Sequence, residues 1–319
     1  MTFLLWRQHR QHLAVAAAAL AALAVLLLTT GVSLNGTYHS ALATCHADGD
    51  CGSLGDSLFK TNWDQFLIVV VTFTIAVPAL LGVFWGAPLV AREIEDGTIK
   101  LLFTQTVSRR RWFAAKAATM LAAGALWGAA IAALVTWWSR PFNALHQDRF
   151  EIGHFDVQGI APIGYAVFAV ALGIACSAWI RRTLPAVAVS LTGFTAVRFA
   201  IAYGLRAHYL PPVVRDIPFG THVRTGTGSA WFVSNTLMNP AGQSTGGRVD
   251  LHSSGCPIPA PGGSSATANC LARLGWHYHV AYQPSGRFWP FQGIETGIYL
   301  VLAAALVGAA YTVIVRRDA

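Results

Sequence analysis

Apolar residues in this chain come in long unbroken blocks, not in the alternating or 3.6-residue stripes of half-buried elements. Charge-free stretches cover 13–34, 66–90, 117–139, 157–180 and 296–315, and a sixth, 183–205, is interrupted only by Arg198. About 20 apolar residues carry a helix across roughly 30 Å of hydrocarbon. Each block therefore predicts a spanning helix, the third starting near 113 and the sixth near 291. The first block follows Trp6, Arg7 and Arg10 and is rich in Ala, as a secretory signal would be. It is too long for one, and no small-x-small cleavage site follows closely, so it reads as a retained anchor. The fold class is an all-α polytopic membrane protein with six transmembrane helices.

Between spans five and six lies the one long polar stretch, 206–290, rich in Gly, Pro and Ser and too turn-rich for long helices. It reads as a small extracellular segment. Phe288, Trp289 and Phe291 place aromatics at the outer interface where span six begins, and Trp137 and Trp138 mark the same level on span three. Composition agrees: 54% of the 319 residues are hydrophobic and 11% charged, against about 25% charged in a soluble domain. The excess of Arg over Lys hints at a GC-rich bacterial genome.

The net charge of +8 raises nucleic acid as a partner, but the placement of the charges removes it. With a cytoplasmic N-terminus, the inner side collects 12 bases, among them Arg92, Lys100, Arg109, Arg110, Arg111 and Lys116, against four acids, Glu93, Glu95, Asp96 and Asp318. The outer side holds nine of each, so the whole excess lies on one face, as insertion rules require. The prediction is a multi-pass protein of the bacterial plasma membrane with both termini cytoplasmic, in contact with the lipid bilayer and not with nucleic acid. None of the three lysines follows a glycine, which excludes a G-x-x-x-x-G-K-[ST] phosphate loop in this chain.

Cysteine placement gives an independent check on topology. Cys45 and Cys51 fall in the first outer loop and Cys256 and Cys270 in the last, while Cys176 lies within a span. Two local pairs on the oxidising side read as disulfides, Cys45 with Cys51 and Cys256 with Cys270; a metal site is the alternative. His277 and His279 share one face of a strand and suit a ligand pair, but no third ligand is near in sequence. Arg198 and Glu295 are the ionisable residues inside or at the ends of spans, both within roughly 10 Å of the outer interface by helix rise. Either they pair, or each reaches separately for the headgroups. No G-x-S-x-G or H-E-x-x-H constellation occurs.

The chemistry-bearing segment is the inner loop 91–112, between spans two and three. Glu93, Glu95 and Asp96 close the helix that leaves the membrane, and Gly97 allows a sharp break. Thr98 then N-caps a short helix whose Ile99, Leu101, Leu102 and Phe103 are too few to cross anything. Ser108 caps the next helix, and Arg109, Arg110 and Arg111 anchor it at the headgroups. The short apolar helix must cover its face with lipid headgroups or with a soluble partner protein.

The run R-E-x-E-x-G-T-x-x-L-L-x-T-Q-x-V-S-R-R-R-W over 92–112 resembles the intracellular loop of permease subunits of ABC-2-type ATP-binding-cassette exporters, the actinobacterial ones in particular. Its setting between spans two and three of six, with a large outer segment between five and six, fits the same family. The resemblance implies a coupling helix at Glu93, Glu95, Asp96, Gly97, Thr98, Ile99, Leu102 and Phe103 that docks on a separate ATPase subunit. It also implies a dimer, of this chain with itself or with a close paralogue, and an interfacial connecting helix over 3–12. ATP and Mg would then reside in the partner ATPase, with no cofactor and no catalytic residue in this chain. The expected function is export of a lipophilic or amphipathic substrate. The alternatives are an outer-face enzyme of lipid or cell-envelope metabolism, using His and Asp of the last loop, and a signalling or assembly subunit that holds a soluble partner through the same loop.

Overall fold

A computed structural model describes residues 2–48, 63–97, 108–145, 149–220, 230–246, 249, 255–257 and 265–316. The chain divides into two compact units, one of residues 1–146, 151–206 and 289–319, the other of 147–150 and 207–288.

The first unit is helical. Among the described residues six segments are long and apolar enough to cross a membrane: Ala14–Thr44, Gln65–Glu95, Arg109–Trp138, Ala161–Ile180, Thr183–His208 and Ser285–Arg316. The first lies within α1 (Thr2–Asp48), which is continuous through the residues expected to form a separate connecting helix. The second comprises α2 (Asp64–Leu81), a π-helical turn Gly82–Gly86, and α3 (Pro88–Glu95). The third is α4 (Arg109–Trp138). Two short helices follow, α5 (Arg140–Leu145) and α6 (Ile152–Val157). The fourth span, α7 (Ala161–Ile180), starts four residues later than the apolar block, because Val157 closes α6 instead. The fifth begins as α8 (Thr183–Phe199) and ends in a π-helical turn, Ala200–Leu205, and a short 3₁₀ turn.

Helix α7 is the centre of this unit: 72% of its apolar window is buried, against 11% for the first span and 17% for the sixth. An apolar span can face lipid or protein, and small residues let protein enclose this one. A Cβ on Gly173 would lie 2.4 Å from the Gly82 carbonyl oxygen, and one on Gly86 2.5 Å from that of Val170. Backbone therefore packs on backbone where α7 meets the π-helical turn, the close approach that small residues permit between spans. The outward faces carry exposed Val15, Val32, Phe73, Phe84, Leu184 and Val301, an apolar exterior that water would penalise. Trp138, placed at the interface on sequence grounds, instead turns inward. It packs on Phe66 and Phe142 and donates to the Thr30 hydroxyl at 3.2 Å.

The second unit holds an antiparallel sheet of order β1-β3-β2, with β1 at Val213–Pro218, β2 at Trp231–Met238 and β3 at His277–Gln283. Helix α9 (Ser265–Arg273) precedes β3 and is tied to Cys256 by the Cys256–Cys270 disulfide. The expected staple of the 206–290 segment is present. The Cys45 and Cys51 pair lies outside the described side chains. The last helix, α10 (Phe288–Arg316), belongs to the first unit from Trp289 onward. It accepts Pro290 in its first turn, where a missing N–H costs nothing.

Candidate functional site

The second span bends before it ends. Pro78 lies inside α2, the π-helical turn follows, and Pro88 opens α3. The first four N–H groups of any helix lack partners within it, and Ala87, at the N-cap position of α3, offers no side-chain acceptor. The acceptor comes from another helix: the Ser177 hydroxyl of α7 receives Val90 N–H at 3.0 Å and Ala91 N–H at 2.7 Å.

The far end of α3 has two more attachments. Glu93 forms a buried ion pair with Lys116 of α4, and the Lys116 ammonium also lies 5.0 Å from the centre of the Trp112 ring. Glu95 accepts from the Thr183 backbone N–H at 3.0 Å and from its hydroxyl, and so caps the start of α8. Asp96 makes an exposed 3.8 Å pair with Arg92, four residues back. Gly97, at φ +68°, turns the chain out of the helix, a conformation that glycine adopts without penalty. Thr98, Ile99, Leu102 and Phe103 lie outside the described residues. Where description resumes, the Ser108 side chain accepts from Arg111 N–H at 3.4 Å and opens α4. Of the expected coupling residues, Glu93 and Glu95 are therefore tied to two other spans, and Gly97 marks where the chain leaves α3.

At the opposite end of the unit, Arg198 and Glu295 lie 3.6 Å apart, both buried, but each has a closer partner. Arg198 pairs with Asp156 at 2.7 Å. Arg206 grips Glu295 with two nitrogens, at 2.8 and 2.7 Å, and reaches Asp156 at 2.5 Å. Tyr165 donates to Glu295 at 2.6 Å. The Arg198 guanidinium stacks 3.7 Å over the Tyr165 ring, and that of Arg206 lies 4.2 Å over Phe155. Two arginines and two carboxylates give no net charge, which is how buried charges are tolerated. The cluster joins α6, α7, α10 and the end of the fifth span.

Asp156 and Arg206 each sit one residue beyond an apolar block, so the block pattern leaves both in loops. The eight-residue spacing of Arg198 and Arg206, which helical periodicity sets on one face, was the signal available. Ser177 gave no signal, being one hydroxyl in an apolar helix. In the second unit, His279 Nδ1 lies 2.8 Å from the Asp216 carboxylate across the β1–β3 pair, and His277 Nδ1 lies 2.9 Å from the Gly275 carbonyl. Among the described residues no group of three or more His, Cys, Asp or Glu side chains is arranged to hold a metal.

Five apolar helices and an enclosed fourth span, the second of the six being jointed near its end, make a multi-pass membrane protein. The family model for ABC-2 membrane transporter related proteins matches residues 17–206, more than half of the chain, and the chain belongs to this family. The match takes in α3, Ser177, Asp156, Arg198 and Arg206, and it stops short of 207–288, the main part of the second unit. No curated protein and no solved structure matches the chain.

Proposed function

We propose that this chain is the permease subunit of an ATP-driven exporter, moving a lipophilic or amphipathic substrate outward on ATP hydrolysed, with Mg, in a separate ATPase subunit. The observation that carries the reading is the jointed helix α3. It is held by Ser177, Lys116 and Thr183, and at Gly97 it passes the chain to a segment whose Ile99, Leu102 and Phe103 are apolar. Family membership supports an ATPase partner in general. In this reading the segment seats in a cleft of the ATPase, two copies of the chain or one copy and a close paralogue make the transporter, and both termini face the cytoplasm of a bacterial cell.

The test is Leu102→Asp. Apolar anchors at interfaces are often worth about 2 kcal/mol or more, so the variant should insert normally yet lose most of the ATPase that co-purifies with the tagged wild-type chain. An unchanged yield of ATPase would place the segment on lipid headgroups and remove the coupling role.

A further inference from the structure

We infer that Ser177 is a positioning residue for coupling: its hydroxyl is the pivot through which a displacement of α3 at Gly97 reaches the fourth and fifth spans. The inference rests on the coupling role proposed above and names the contact that transmits it.

Helix α3 is only eight residues long, and its two ends are held differently. At its start, Ala87 is fully buried, and Gly82 and Gly86 lie against the backbone of α7 so closely that no Cβ fits. There the Ser177 hydroxyl takes two first-turn N–H groups, the task an N-cap side chain performs within its own helix. At its end, Glu95 holds Thr183, the first residue of α8. Ser177 and Thr183 flank the tight corner between α7 and α8, where Arg181 adopts φ +59°. One short helix therefore grips both sides of the corner joining two spans, and the chain leaves its far end at Gly97. A displacement at Gly97 turns α3 about the point where it cannot slide, and that point is Ser177. The same corner leads into α8, whose distal half carries Arg198 and continues to Arg206, so the fifth span links the loop end to the buried charge cluster.

A native reporter sits at the joint. Cys176, buried beside Ser177, packs with Ala87 at the start of α3 and with Ala186 of α8. The experiment uses the full-length chain purified with its ATPase. Alkylation of Cys176 by N-ethylmaleimide is followed by mass spectrometry without nucleotide and after trapping with Mg-ATP and orthovanadate. In the wild type and in S177T, trapping should change the alkylation rate by roughly fivefold or more, the scale of losing a helix cap. In S177A and S177V the change should fall below about twofold on the same scale, with the ATPase still bound. Thr and Val have the same size, so their difference isolates the hydroxyl from any effect of packing. A wild-type response in S177A, equal behaviour of S177T and S177V, or a wild-type chain whose Cys176 ignores nucleotide would each overturn the inference while leaving the ATPase partnership standing. If no ATPase accompanies the wild-type chain, the coupling role itself fails, and this pivot fails with it.

Discussion

Opposite charges are buried at both ends of the six-helix unit, but the two sites are built for different loads. At the loop end one buried ion pair, Glu93 with Lys116, works beside hydrogen bonds made one or two at a time: the Ser177 hydroxyl on two N–H groups, and the Glu95 carboxylate on Thr183. Caps of this kind are worth about 1 kcal/mol each, so they can be exchanged or released one by one. At the other end, four charges and a tyrosine share seven contacts at 3.6 Å or less, with one guanidinium gripping a carboxylate by two nitrogens. Forked pairs are strong and geometrically strict, and breaking a buried network exposes uncompensated charge. The loop end is therefore the yielding part of the unit, and the charge cluster is the part that holds the last three spans together.

The largest effect should come from the cluster. Arg206→Leu leaves Asp156 and Glu295 sharing Arg198 alone and should destabilise the protein by about 3–5 kcal/mol, read as a drop in thermal midpoint in detergent. Adding Glu295→Leu should recover part of that loss, since removing both members of a buried pair is milder than removing one. Lys116→Met, which removes half of the single pair, should cost less than Arg206→Leu. Equal losses at the two sites would erase the contrast between them.

A middle-sized effect is expected where backbone meets backbone. Gly173→Ala forces a methyl group to within 2.4 Å of the Gly82 carbonyl oxygen, an overpacking that typically costs about 1–3 kcal/mol. Gly297→Ala, in α10 with open space around it, should be neutral or slightly stabilising, as alanine favours a helix interior. If both variants melt together, α7 is not clamped at the joint, and the pivot argument weakens with it.

The smallest effect belongs to Arg92→Ala. Its pair with Asp96 is long and solvent-exposed, so stability should shift by no more than about 0.5 kcal/mol. A larger loss would mean that the end of α3 is held more firmly than its contacts indicate, and it would sharpen the comparison by moving the stiff boundary toward Gly97.

Much of this architecture was legible in the residue order. Six spans follow from block length alone, since backbone polar groups in hydrocarbon demand helices of a set reach. The end of α3 at Glu95 with Gly97 beyond it, the Ser108 cap and the Cys256–Cys270 pairing are local features, each decided within 15 residues. Non-local choices were not legible. Whether Arg198 meets Glu295 or Asp156 first, and whether Arg206 belongs to a loop or to a buried cluster, depends on how far each helix extends past its apolar block. Ser177 is one of many small polar residues in a span until α3 arrives beside it. The residue order by itself determined which segments leave water and where they turn, because both are properties of short stretches of chain. Only the tertiary structure decided which buried charges and hydroxyls find one another, because partners distant in sequence are chosen by the packing of whole helices.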